Sequence, residues 1–192
     1  MSKELNIPRP SPEEVGDYLK IWNNDDDLKL SDSILRKLFT RTYPVNNNLE
    51  EVVIKVCTLD ILFNTNVGRW ALEVSRHISN YKNFDNELTN NKLDVDKFAK
   101  VRTLNKKLYS FATKYCSFHG QDNYPMYDSR VDETLWYFKN KYQFKKFTRP
   151  ALRQYSEFKI ILEEFRSSFG LEKFSLREID KYLWLVGKEF FN

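Results

Sequence analysis

Lys107 and Asp128 stand 21 residues apart, each beside an expected helix start, with a tight loop between them. A lysine amine and a carboxylate placed in this way can converge on one cleft. Asn105-Lys106-Lys107 runs into Leu-Tyr-Ser-Phe-Ala-Thr-Lys114, and Tyr124-Pro-Met-Tyr-Asp128-Ser-Arg-Val131 follows. A second constellation, Cys116-x-x-His119, has half of the spacing of a zinc site. No second pair completes it, because Cys57 and His77 each stand alone on apolar helices. Cys116 therefore reads as a core thiol, and no metal is expected.

Other chemistries lack their residues. The chain has no P-loop, no G-x-S-x-G and no H-E-x-x-H, so phosphate-cradling and common hydrolase readings have no support. Only five Gly argues against a nucleotide-binding α/β fold, whose phosphate turns need glycine. Two Cys make no disulfide framework, which points to a reducing compartment. The N-terminus carries no apolar core of a signal peptide, and no run of ~18 apolar residues occurs. A cytoplasmic protein without membrane spans is the expectation, nucleoid-associated if it acts on DNA.

Charge is polarised along the chain. Formal net charge is only +4, yet residues 97–121 hold six Lys/Arg and no Asp or Glu. Residues 139–149 carry Lys139, Lys141, Lys145, Lys146 and Arg149 interleaved with Tyr142, Phe144 and Phe147. The first 33 residues lean the other way, with eight acids against four bases. Clustered cations suit a surface that tracks phosphates, since each neutralised phosphate releases counterions. Arg102, Lys106, Arg130, Lys145 and Lys146 are the candidate DNA contacts. The alternative is a solvated helix face in a Lys- and Asn-rich chain.

The elements that must hold these residues are helices. Ser11-Pro12-Glu13-Glu14 is a start signal, with a hydroxyl cap, Pro at the first position and Glu reaching back. Val15, Tyr18, Leu19 and Trp22 follow at helical spacing, and 23–27 breaks the helix. Ser31 or Asp32 is placed to cap the next one, which Tyr43-Pro44 ends. Residues 49–63 carry a broad apolar stripe of period near 3.6. Further helices are expected around 70–78, 84–88, 95–101, 107–118, 151–168 and 176–191, with Asp128 capping one through Phe138. Ser175-Leu176-Arg177-Glu178 is a capping box. With 41% apolar residues, and 15 Phe, 11 Tyr and 4 Trp, the chain can fill a sizeable core. Trp70, Trp136 and Trp184 sit at helical spacing and read as core. The fold class is all-α.

Lys107-x-x-x-Phe111-Ala112-x-Lys114, followed by Pro125-x-x-Asp128-Ser-Arg-Val131, resembles the helix-hairpin-helix DNA glycosylase superfamily, nearest to its archaeal 8-oxoguanine branch. Cys57-Thr-Leu-Asp-Ile-Leu-Phe-Asn64-Thr-Asn66 is similar to the segment in which the superfamily's long helix ends in a polar, DNA-probing loop. The resemblance covers roughly 49–138. Val101-Arg102-Thr103-Leu104-Asn105 stands where a Gly-x-Gly turn is usual, and the four-Cys iron–sulfur cluster is absent.

The resemblance implies a two-lobed helical fold in a single domain over 1–192, with 49–138 as a central lobe and 11–48 and 149–192 packing as the other. It implies excision of a base flipped out of double-stranded DNA, with or without lyase activity. Lys107 would attack the sugar C1′ as a neutral amine, and Asp128 would stabilise the developing oxocarbenium charge. Lys114 is the alternative nucleophile, or a second positive charge. Asn64 and Asn66 would fill the gap that the base leaves, although a helix C-cap followed by a turn is the ordinary reading of either one singly and outweighs it. No cofactor and no obligatory protein partner are expected. Two other readings stay open: a non-catalytic DNA-binding protein on the same scaffold, and a helical protein–protein interaction domain with an incidental basic face.

Overall fold

The computed structural model describes residues 6–120 and 123–191. The chain is predominantly helical and divides into two compact units, Met1–Asp26 with Tyr127–Asn192, and Asp27–Met126. Residues 27–48 thus belong to the middle unit, and 127–138 to the terminal one. The division thus differs from lobes of 49–138 and of 11–48 with 149–192. No helix is long and apolar enough to cross a membrane among the described residues.

In the terminal unit, α1 (Pro12–Asn24) opens on Ser11, whose hydroxyl accepts from the Glu14 N–H at 3.2 Å. Its Val15, Tyr18 and Trp22 are buried and face α10 (Leu176–Phe190). Tyr18 and Tyr182 meet edge to face at 5.4 Å, as do Trp22 and Trp184 at 5.9 Å. The Ser175–Glu178 capping box is formed at the start of α10. α10 also packs on α8 (Ser129–Tyr142), and α9 (Tyr155–Ser168) completes the unit behind a 3-10 turn at Arg149–Arg153. Gly187 permits the close approach of α10 to α8: a Cβ there would stand 2.7 Å from the Arg130 carbonyl oxygen. Gly187→Ala is therefore expected to cost about 2 kcal/mol, because the obstacle is backbone. Thermal denaturation checks this, and an unchanged melting point would contradict it.

In the middle unit, α2 (Asp26–Lys37) runs unbroken through Ser31 and Asp32. Neither residue is the expected cap. Asp32 instead pairs with Arg36 one turn on, at 2.8 Å. A π-turn (Leu38–Thr42) and a loop lead to α3 (Leu49–Phe63), which Asn48 caps by accepting from the Glu50 and Glu51 N–H groups. A 3-10 turn (Gly68–Trp70) enters α4 (Ala71–Ser79), which packs on α3. Then come α5 (Phe84–Thr89), the single-turn α6 (Val95–Phe98) and α7 (Tyr109–Gly120).

Between α6 and α7 lies the one departure from an all-α reading among the described residues. β1 (Lys100–Val101) and β2 (Lys106–Lys107) form a two-stranded antiparallel hairpin, with Lys100 opposite Lys107 and Val101 opposite Lys106. Its tip is a 3-10 turn (Arg102–Leu104) closed by Asn105 in the left-handed region, φ 48°. Lys107 therefore ends a strand rather than opening a helix. The expected helix over 95–101 stops at Phe98 because the chain turns into this hairpin.

Candidate nucleic-acid interface

The hairpin and the end of α4 build a groove of about 830 Å³. Val101 is buried at 3%, so strand alternation turns Lys100 and Arg102 outward. On α4, Val74, Ser75 and Ile78 face inward, which leaves Glu73, Arg76, His77 and Asn80 on the groove side. The His77 ring fixes the distance between the two walls. Its Nε2–H donates to the Phe98 carbonyl at 2.8 Å, and the ring stacks on Phe98 at 5.8 Å. Asp94 caps α6 by accepting from the Lys97 N–H, which sets the direction in which Lys97 leaves the helix.

Five cations, Arg76, Lys82, Lys97, Lys100 and Arg102, border this groove against two carboxylates, Glu73 and Glu87. All five are exposed, and among the described residues none of them makes an ion pair. Unpaired ammonium and guanidinium groups around a concave surface attract polyanions, and little internal pairing must be broken when one binds. Lys106, on the far strand of the hairpin, and Arg69, in the turn before α4, both lie over the Trp70 ring, at 5.0 and 4.0 Å from its centroid.

The residues singled out from the sequence are distributed as follows. Arg102 lies in the groove, and Lys106 on Trp70. The Lys107 ammonium pairs with Asp96 at 2.7 Å and lies 4.8 Å from the Tyr109 ring centroid, bracing the hairpin against α6. Lys114 is 4% exposed in mid-α7 and donates to Ser110 Oγ at 2.7 Å. Asp128 belongs to the terminal unit, where its carboxylate caps α8 by accepting from the Arg130 N–H at 3.1 Å. Asn64 and Asn66 hold left-handed positions after α3, with φ 46° and 59°. Asp60 ties that turn down by accepting from Thr65 Oγ at 2.6 Å and the Val67 N–H at 2.8 Å. The turn is thus accounted for by helix termination.

The 139–149 stretch is largely engaged within the terminal unit. Lys141 donates to the Ile7 carbonyl and the Tyr137 hydroxyl, and Arg149 binds the buried Asp132 at 2.6 Å. Lys145 faces Glu164 at 3.7 Å, and the Arg130 guanidinium lies over Trp184. Lys146 is exposed. Trp70, Trp136 and Trp184 are half-buried under cations rather than enclosed in the core, whereas Trp22 is buried.

A second polar cluster was not visible from the sequence. Lys55, fully buried on α3, donates to the Tyr43 and Val45 carbonyls at 3.1 and 2.8 Å and to Asn46 Oδ1 at 2.7 Å. The Tyr115 hydroxyl donates to the same Asn46 oxygen, and His119 Nε2 lies 3.2 Å from it. Asp85 accepts from the Asn46 backbone and side-chain amides. Burial pulls the Lys55 pKa down to about 8, against the opposing pull of Asp85 and Glu51. Burial and the nearby Lys55 charge push His119 well below 6.5. The cluster fastens the loop before α3, and its donors and acceptors are turned on one another. A depressed histidine pKa means that His119 contributes stability present above pH 6.5 and lost as pH falls through its lower folded value. The wild-type melting temperature is therefore expected to fall more steeply below pH 6.5 than that of His119→Gln. Parallel acid profiles would contradict this.

Residues 14–123 match the family described as HI_0787_N, N-terminal domain. This chain belongs to the HI_0787_N family. It is also 35% identical over 147 residues to an uncharacterized protein of Haemophilus influenzae, an alignment that covers 74% of this chain and 69% of the relative. No solved structure matches it. The HI_0787_N match spans every groove cation, the Lys55 cluster, Lys107 and Lys114, whereas Asp128 lies beyond it.

Proposed function

We propose that this HI_0787_N protein binds DNA through the basic groove of its middle unit. The observation that carries the reading is five exposed cations, without ion pairs, around a single concavity. Many basic residues elsewhere are bound to carboxylates, carbonyls or rings, whereas the five groove cations are exposed, without ion pairs, and gathered around one concave surface. Fluorescence anisotropy of a labelled DNA 20-mer at 50 mM NaCl tests it. Binding in the micromolar range or tighter is expected, and no binding at 100 µM protein would end the reading.

A second reading, base excision of the helix-hairpin-helix glycosylase kind, is favoured by one observation and weakened by another. Lys114 is a buried amine, the environment from which Schiff-base lysines act. Lys107 sits a third exposed, with its side-chain nitrogen engaged by Asp96 at 2.7 Å. The amine assigned here is therefore Lys114, with Lys107 bracing the hairpin. Borohydride trapping on abasic DNA checks it: the covalent product should survive Lys107→Gln and vanish in Lys114→Gln. Absence of a wild-type product removes the Schiff-base lyase reading and leaves DNA binding untouched.

A further inference from the structure

The groove also holds an aromatic side chain that phosphate attraction does not require. Tyr81, half-buried in the turn after α4, lines the same concavity as the five cations. Its ring stands nearly perpendicular to three neighbours, Phe98 at 5.5 Å, Phe84 at 6.0 Å and His77 at 6.1 Å. Three such contacts fix the ring plane before anything binds. Asn80 and Asn83, exposed on either side of it in the turn, bring amide donors and acceptors into the groove.

We infer that the groove takes an unpaired nucleotide strand, with bases against Tyr81 and phosphates along Lys97, Lys100 and Arg102. The inference rests on the DNA-binding reading and narrows it. Two arguments select an unpaired strand over a duplex. A base in a duplex has its faces covered by its neighbours, so an aromatic side chain stacks on it only once it has left the helix. Moreover, Asn80 and Asn83 offer amides beside Tyr81, and the Watson–Crick edges that such amides suit are open only on an unpaired base. Glu73 and Glu87 repel phosphate from their own positions, which leaves the hairpin wall to the backbone.

The test compares a 15-mer of thymidylate with a 15-base-pair duplex by anisotropy, at one salt concentration, on the full chain. The single strand is expected to bind at least tenfold more tightly. Tyr81→Leu should lose about tenfold for the single strand with an unchanged salt slope, and Tyr81→Trp should retain binding. Because Tyr81→Leu perturbs an aromatic cluster, a second measurement uses the unaltered protein. Irradiation with an oligonucleotide carrying 5-iodouracil should attach it to the peptide containing Tyr81, read by mass spectrometry. Equal or tighter duplex binding, or attachment only elsewhere, overturns the inference while DNA binding stands. Failure of both nucleic acids to bind removes the underlying reading, and the inference with it.

Discussion

Replacing Lys97, Lys100 and Arg102 together by Glu is expected to weaken DNA binding at least a hundredfold at 50 mM salt. Each substitution removes one phosphate contact and installs a repulsive charge on the same wall of the groove. The thermodynamic signature is as diagnostic as the loss. The neutral Gln versions of the three should reduce the magnitude of the slope of log K on log salt by about 2 for single strands. Stability should hardly move, within about 0.5 kcal/mol, since the three side chains are exposed and unpaired. Anisotropy and thermal denaturation on the same preparations separate the two effects. A triple variant that binds as the wild type does would place the interface elsewhere.

The largest stability effect is expected at Lys55. Lys55→Met keeps the stem but leaves two backbone carbonyls and the Asn46 oxygen without their shared ammonium donor inside the middle unit. The two carbonyls lose their donor at about 1–3 kcal/mol each, while Asn46 keeps the Tyr115 hydroxyl. The melting temperature should fall by roughly 10 °C. The pH dependence carries a definite sign. Lys55 titrates near 8 in the folded protein against 10.5 ordinarily, so between those values the unfolded chain binds more protons. Folding stability from this group therefore grows as pH rises from about 8 toward 10.5, and the gap between wild type and Lys55→Met should widen over that interval. Melting curves at pH 7 and pH 10 measure it, and a gap that narrows would contradict the burial of this amine.

Helix starts were legible because their signals are local. Ser11, Asp128 and the Ser175–Glu178 box each satisfy N–H groups within three residues, so sequence spacing alone identifies them. The 100–107 hairpin escaped notice because a two-residue strand has no periodicity to detect. Asp32 resembled a cap, but its carboxylate serves Arg36 inside a continuous α2. Lys55 left a faint mark that went unread: it falls three residues after Val52 and four before Leu59, on the buried face of α3. A lysine at that register predicts a clamp, although its acceptors arrive from a loop that no pattern places.

The candidate site was half visible for a related reason. Lys97, Lys100 and Arg102 belong to an acid-free run, whereas Arg76, Lys82 and Tyr81 come from a segment of mixed charge and join them only through folding. The 139–149 run looked equally suited to phosphate. Lys141, Lys145 and Arg149 are taken up by the Ile7 carbonyl, Glu164 and Asp132, which a linear count of charges does not see.

The salt dependence of wild-type affinity reports most directly on whether the groove meets phosphates. With Lys97, Lys100 and Arg102 on phosphates, the slope of log K on log salt for a single-stranded oligonucleotide is expected at about −2. A slope indistinguishable from zero between 50 and 200 mM NaCl, or no binding at the lower concentration, would contradict a phosphate-binding role for this surface.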